Sequence, residues 1–115
     1  MYSKSLTYYA HMIFVETHLF TRRVKELLDD DAYAAFQMYL ADHPEEGDVI
    51  EGSVGLRKIR VAAKGHGKRG GARVIYYYFV SDTKIALLTI FPKNEQRDLT
   101  ADERKALKRV IEHWK

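Results

Sequence analysis

The residues of this chain that are best suited to chemistry are the cations of one short stretch. Positions 57–73, RKIRVAAKGHGKRGGAR, hold seven Lys and Arg side chains and no acid. The whole chain has 19 Lys and Arg, so 12 remain elsewhere, against 16 Asp and Glu. The net charge of +3 therefore conceals a basic segment on an acidic body. Because anions respond to the local field rather than to net charge, this segment predicts a binding face for a polyanion.

Two strands joined by a glycine-rich loop must position these cations. Lys58 and Arg60 alternate with aliphatic residues within 56–62, and this period of two puts both cations on one face of a strand. Four glycines in residues 65–71 predict a loop that wraps a ligand. Arg73 opens the next strand, and a hairpin would return it to the side of Lys58 and Arg60. A solvated basic loop is the simplest alternative, but the absence of acid favours a binding face.

Composition excludes several other kinds of chemistry. Cysteine is absent, which rules out disulfides and cysteine-ligated metal sites. The five histidines lack metal-ligand spacing, and neither a Walker-type loop nor a nucleophile elbow is present. The aromatic residues Tyr76–Tyr78 and Phe91 follow the basic stretch, and cations beside aromatic rings are typical of RNA sites.

The remaining patterns predict one α+β domain over residues 12–115, with a small antiparallel sheet in the order β-α-α-β-β-β-α. A strand at 12–16 precedes a helical hairpin, whose helices begin after Thr17 and after one of three aspartates at 29–31. Strands at 56–62, 72–80 and 85–91 follow, with a turn and a short strand near Val49 before them. A C-terminal helix begins at a capping box of Thr100 and Glu103.

The ends of the chain carry two further expectations. Residues 1–11 show no clear period and are expected to be an N-terminal extension, disordered or derived from an upstream start. There is no apolar run of about 18 residues and no signal-peptide pattern, so we expect a cytoplasmic protein without a membrane segment.

Four blocks of sequence occur in a familiar order: GDVIEG from Gly47, GLRKIR from Gly55, GKRGGARVIYY from Gly67 and KNEQRDL from Lys93. Together they resemble the HigB branch of the RelE/ParE toxin superfamily, over roughly Met12 to Trp114. The resemblance implies a RelE-like fold and a bacterial toxin that arrests growth by cutting mRNA in the ribosomal A site. It also implies a HigA-like antitoxin with a helix-turn-helix domain, through which alone the toxin contacts operator DNA.

The same resemblance implies a hydrolase mechanism without metal or other cofactor, in which the 2′-hydroxyl of the message attacks the adjacent phosphate. The catalytic residues implied by motif are Lys58, Arg60, Arg73 and Lys93. RNA contacts are implied for Arg57, Lys64, His66, Lys68, Arg69 and Asn94. Asn94 stands where the RelE pattern has another arginine, and Thr100 stands near its catalytic tyrosine. The general base is therefore open between Lys58 and Lys93, with His66 a weaker candidate.

Two alternatives share the same cationic face. A ParE-like protein would poison gyrase with this fold, and an RNA-binding module would bind without cutting. The placement of the cations on sheet and loop, rather than on a recognition helix, favours RNA over duplex DNA.

Overall fold

The computed structural model describes residues 5–9, 11–62, 71–95 and 98–115. Within them, six strands form one sheet in the order β1-β2-β6-β5-β4-β3, and three α-helices accompany it. The elements are β1 (Ser5–Tyr9), β2 (Met12–Glu16), α1 (His18–Leu27), α2 (Asp30–Asp42), β3 (Asp48–Val49), β4 (Arg57–Val61), β5 (Ala72–Phe79), β6 (Lys84–Pro92) and α3 (Ala101–Trp114), with a 3-10 turn at Val80–Asp82 before β6.

The sheet is mixed, so the prediction of an antiparallel sheet is wrong at one position. β2 and β6 run in parallel, with Ile13 opposite Lys84 and Glu16 opposite Leu87, whereas the other neighbours are antiparallel. The predicted element order also lacked β1, which pairs with β2, and did not count the two-residue strand β3. An alternating pattern identifies the buried face of a strand but not the direction of its neighbour. The predicted α+β fold class is confirmed.

The helices begin where the sequence predicts, because their first residues supply side-chain caps. Thr17 accepts a hydrogen bond from the backbone of Phe20, and Asp29 accepts one from Ala32. Thr100 and Glu103 form the expected capping box at the start of α3. Among the described residues, no helix has the length and apolar character needed to cross a membrane.

Apolar side chains form a core on each face of the sheet. α1 and α2 cover one face, where Phe20, Phe36 and Leu40 pack with residues such as Val74 and Tyr76. α3 covers the other face with Val110, Ile111 and Trp114, which pack with residues such as Ile75 and Phe91. β5 is buried on both sides and therefore fixes the position of β4, the basic strand, relative to both cores.

A buried tyrosine ties the basic strand to the loop after α2. The ring of Tyr76 is 0% exposed, and its hydroxyl accepts a hydrogen bond from the Gly47 backbone at 2.9 Å and donates one to Pro44 O at 2.9 Å. A Cβ at Gly47 would lie 2.8 Å from the Tyr76 ring, so glycine is required for this approach. Arg57 Nη1 donates to Gly47 O at 2.7 Å and to Glu45 O at 3.0 Å. The loop that leads into β3 is thus held against β4.

We expect Tyr76→Phe to lower the free energy of unfolding by about 1–3 kcal/mol, because it leaves the buried Gly47 N–H without a partner.

Burial, the largest effect, raises the pKa of Tyr76 above its ordinary value of 10.0. The folded state therefore favours the neutral hydroxyl, and this contribution is complete below pH 10 and is lost as pH rises through the folded-state pKa. Urea unfolding as a function of pH measures both effects. Tyr78→Phe is the control, since the Tyr78 hydroxyl forms no hydrogen bond with the described residues. An equal loss of stability there would contradict the role assigned to the Tyr76 hydroxyl.

Candidate nucleic-acid interface

Three cations from the basic stretch lie on one face of the sheet. The register pairs Arg60 on β4 directly with Arg73 on β5, and Lys58 with Ile75. Residues directly opposite each other point to the same face, as do residues two apart on one strand. Lys58, Arg60 and Arg73, which we call the cation row, therefore share the face that α3 covers.

The cation row carries positive charge without internal compensation. No hydrogen bond or ion pair joins the side chain of Lys58, Arg60 or Arg73 to another described residue. Arg73 is half-buried, and its Nε is fully buried without a hydrogen-bond partner in the described part of the chain. A buried donor that lacks a partner costs free energy, and an anion on this face would supply one.

The pairing of Arg60 with Arg73 is itself unfavourable. Directly opposite residues in an antiparallel pair have Cβ atoms about 4.5–5.5 Å apart, and like charges there destabilise the sheet. β5 is locked by burial on both faces, so the strands cannot slip to relieve this repulsion. The two guanidinium groups repel each other, and the arrangement becomes favourable when a phosphate lies between them and binds both.

The fourth predicted catalytic residue comes from a turn. Lys93 and Asn94 are exposed, and the turn that contains them closes with a hydrogen bond from Glu95 N to Pro92 O at 3.0 Å. Lys93 N also donates to Gly71 O at 3.3 Å. The backbone of Lys93 is therefore beside the start of β5, two residues before Arg73.

Arg57, the next predicted RNA contact, does not join the cation row. Arg57 pairs with Tyr76 across the strands, which places it on the opposite face from Lys58 and Arg60, and it binds backbone carbonyls there. The structure gives Arg57 a bracing role at the loop before β3. The other predicted contacts lie outside the described residues: Lys64, His66, Lys68 and Arg69.

The aromatic residues expected to stack with bases are mostly buried. Tyr76 packs in the core beneath α1 and α2, and Phe91 is 2% exposed in the core beneath α3. Phe91 lies directly opposite Arg73 on β6. It therefore lies beside Arg73 on the same face of the sheet, and it also lines an adjoining cavity.

That cavity adjoins the cation row on the α3 face and has a volume of about 410 Å³. Its apolar wall includes Ile75, Phe91 and Leu99, and Lys58 belongs both to the wall and to the cation row. The other charged side chains that line it are Asp48, Glu51, Asp98 and Arg104. In the described residues, no group of three or more His, Asp or Glu side chains is arranged to hold a metal ion.

Sequence reasoning did not find this cavity. Its walls come from β3 with the loop after it, from β4, β5 and β6, and from the segment that leads into α3, and no local pattern brings these five segments together. A partial signal is present in the sequence, because the block KNEQRDL contains Asp98 and Leu99.

A glycine fixes the point where β5 begins. Gly71 has φ +106, and a Cβ there would lie 2.0 Å from Val61 O on β4. The two backbones can approach this closely only because the side chain is absent. Since Arg73 follows two residues later, Gly71 sets the distance between Arg73 and β4.

A family model described as the RelE toxin of the RelE/RelB toxin–antitoxin system matches residues 12–115. The chain belongs to the RelE toxin family. It is accordingly the toxin of a toxin–antitoxin system, and the partner of a RelE-family toxin is an antitoxin. Residues 1–11 lie outside the matched region, although Ser5–Tyr9 adds a strand to the sheet.

In this RelE-family toxin, Gly71→Ala should destabilise the fold by about 4 kcal/mol or more, the range of exceptional substitutions. The new Cβ would collide with backbone rather than with a flexible side chain. Gly52→Ala is the matched control, because Gly52 also has positive φ, +75, but has nothing within 4 Å of its Cβ position. It should cost about 1–2 kcal/mol. Urea unfolding of both variants measures the difference, and similar losses would show that backbone conformation, not the contact with Val61, requires Gly71.

Proposed function

We propose that this toxin is a HigB-type, ribosome-dependent mRNA interferase that cuts mRNA in the ribosomal A site and so inhibits translation. RelE-family toxins are generally ribonucleases, and the finer HigB resemblance comes from the four sequence blocks described above. The partner that this proposal implies is a HigA-like antitoxin. The observation that carries the proposal is the cation row, three strand-borne cations that form no ion pair with a described residue, with Arg60 and Arg73 directly opposite each other.

The proposed reaction needs only the RNA and these side chains. The 2′-oxygen forms a bond to the adjacent phosphorus as the bond from phosphorus to the 5′-oxygen breaks. A base removes the proton of the 2′-hydroxyl, and the leaving 5′-oxygen takes up a proton. The products are a 2′,3′-cyclic phosphate and a 5′-hydroxyl.

Arg60 and Arg73 are the proposed donors that stabilise the phosphorane. Both are held on paired strands, so little reorganisation is needed as negative charge develops on the equatorial oxygens. Arg73 has the more constrained environment, because it is half-buried and lies between Arg60 and Phe91. It is the proposed principal donor to the phosphorane.

Lysine supplies the proton transfer in this mechanism. Lys58 is half-buried and on the same face as the two arginines, so in its neutral form it is the proposed base. Lys93, whose backbone lies beside the start of β5, is the second candidate for the base.

We expect Arg73→Ala to reduce cleavage by about 10²–10³-fold, as for removal of one preorganised donor. The measurement is single-turnover cleavage of message on programmed ribosomes at saturating toxin. Arg109→Ala is the control, because Arg109 is an exposed arginine on α3 that lines neither the cation row nor the cavity. It should cleave at nearly the wild-type rate. Equal losses would mean that general positive charge, rather than the fixed position of Arg73, supports the reaction.

Ribosome dependence is tested with the same protein and message. Purified toxin should cut the message at codon-associated positions on ribosomes and leave naked RNA intact, because the ribosome must fix the message before the 2′-hydroxyl can align. Primer extension locates the cuts. Digestion of naked RNA at the same rate would contradict ribosome dependence. Trapped gyrase–DNA complexes would support the ParE-like alternative, and ribosome binding without cuts would support a binding module.

A further inference from the structure

Lys58, the proposed base, is confined on both sides by neighbouring strands. It lies directly opposite Asp48 on β3 and directly opposite Ile75 on β5, so its side chain stands between theirs on the α3 face. All three side chains line the cavity of about 410 Å³. Lys58 is half-buried, although its strand is next to the edge of the sheet, because β3 and the loop after it form the outer wall of that cavity.

A lysine depends on such a wall if it is to act as a base at a fixed place. Its long stem loses more rotamer freedom on ordering than most side chains, and a misplacement of about 1 Å can lower a rate by about 10²-fold. No hydrogen bond or ion pair joins the Lys58 side chain to another described residue. Its packing between β3 and β5 is therefore what positions it.

The outer wall gains little from its own strand pairing. β3 has two residues and pairs with β4 only at Arg57 and Lys58, and a ladder this short is marginal by itself. The end of the wall after β3 is held by a hydrogen bond from Ile50 N to Leu56 O at 2.8 Å. The other end, the loop before β3, is held by side chains.

Arg57 is the cation that holds the loop before β3. Its Nη1 donates to Gly47 O at 2.7 Å and to Glu45 O at 3.0 Å. The buried Tyr76 hydroxyl binds the same loop through the Gly47 N–H and Pro44 O. Arg57 lies opposite Tyr76, on the face away from the cation row, so its guanidinium is directed away from a phosphate on that row.

We propose that Arg57 is a positioning residue for Lys58. From the opposite face of the sheet, it holds β3 as the outer wall that fixes the lysine beside Arg60 and Arg73. The inference rests on the proposed function, because it concerns the position of the proposed base. In this role Arg57 contacts neither the RNA nor the reacting atoms, and its two hydrogen bonds to backbone carbonyls matter more than its charge.

Single-turnover cleavage on programmed ribosomes at saturating toxin tests this role. Arg57→Ala should lower the rate constant by about 10- to 100-fold. Its affinity for ribosomes should stay within about twofold of wild type, measured with a message that cannot react because it carries a 2′-deoxynucleotide at the attacking position. Arg22→Ala is the matched control and should change neither quantity. Arg22 is an exposed arginine of α1, on the same side of the sheet, and forms no hydrogen bond with the described residues.

A double-mutant cycle with Lys58 distinguishes positioning from a general structural loss. Because Arg57 acts through Lys58, Arg57→Ala should have little further effect on cleavage by Lys58→Ala. Tyr76→Phe loosens the same loop from within the core and should show the same dependence on Lys58. Multiplicative losses in either cycle would overturn the proposal. A loss of ribosome binding that matches the loss of cleavage would also overturn it, since Arg57 would then be an RNA contact.

The position of Lys58 is also measured without cleavage, by carbon-13 relaxation at the lysine Cε atoms of the free, full-length toxin. In the wild type, Lys58 should have a higher order parameter than Lys108, which is exposed on α3. Arg57→Ala should lower the Lys58 value toward that of Lys108. If Arg57→Ala fails to fold, Arg57→Lys replaces it in each measurement, because it keeps the charge but cannot make the same two bonds.

The relaxation measurement separates the two proposals. An unchanged order parameter for Lys58 in a folded Arg57 variant would overturn the positioning role and leave the interferase function intact. A wild-type toxin that cuts no message, together with a loss of order at Lys58 in the variant, would overturn the interferase function and support the positioning of Lys58 by Arg57.

Discussion

The antiparallel register between β4 and β5 is the constraint on which the candidate site depends. It sets Arg60 opposite Arg73 and Lys58 opposite Ile75. Because side chains alternate between faces, a shift of one residue would turn the cations of β4 into the core beneath α1 and α2. Burial of β5 on both faces opposes that shift, and the close contact of Gly71 with Val61 fixes the end of the pairing. The repulsive placement of charge is thus stabilised by apolar packing elsewhere.

The two faces of β4 carry cations with different roles, one face for stability and the other for the candidate site. Arg57, with its bonds to the carbonyls of Glu45 and Gly47, contributes to the fold. Lys58, the next residue, faces the other way and joins the site. Two adjacent cations of one basic motif therefore differ in role, since Arg57 stabilises the fold and Lys58 belongs to the candidate site. A count of cations along the sequence does not distinguish these roles. The buried Nε of Arg73, which has no hydrogen-bond partner among the described residues, is a local cost that the two cores offset.

Local patterns predicted much of this structure, and the failures have physical reasons. Alternation in β4 gave the shared face of Lys58 and Arg60, and capping chemistry gave the starts of the helices. The parallel pairing of β2 with β6 joins strands about seventy residues apart in the sequence. β1 pairs with the edge of β2 that β6 leaves free. Neither pairing leaves a local signal in the sequence. The cavity depends on five separate segments. The family model confirms the RelE part of the motif resemblance, whereas the HigB branch and the roles of individual site residues are proposals.

The outer edge of β4 has a consequence for work with inactive forms of this toxin. β3 pairs only with Arg57 and Lys58, so among the described residues Ile59–Val61 have no strand on that side. An open, flat edge is a template for pairing with another polypeptide, and charged side chains on it discourage such association. Lys58 and Arg60 therefore also protect the edge, whatever they bind. Replacing both with small apolar residues would favour edge-to-edge aggregation, so insolubility of such a variant would not signify a lost fold.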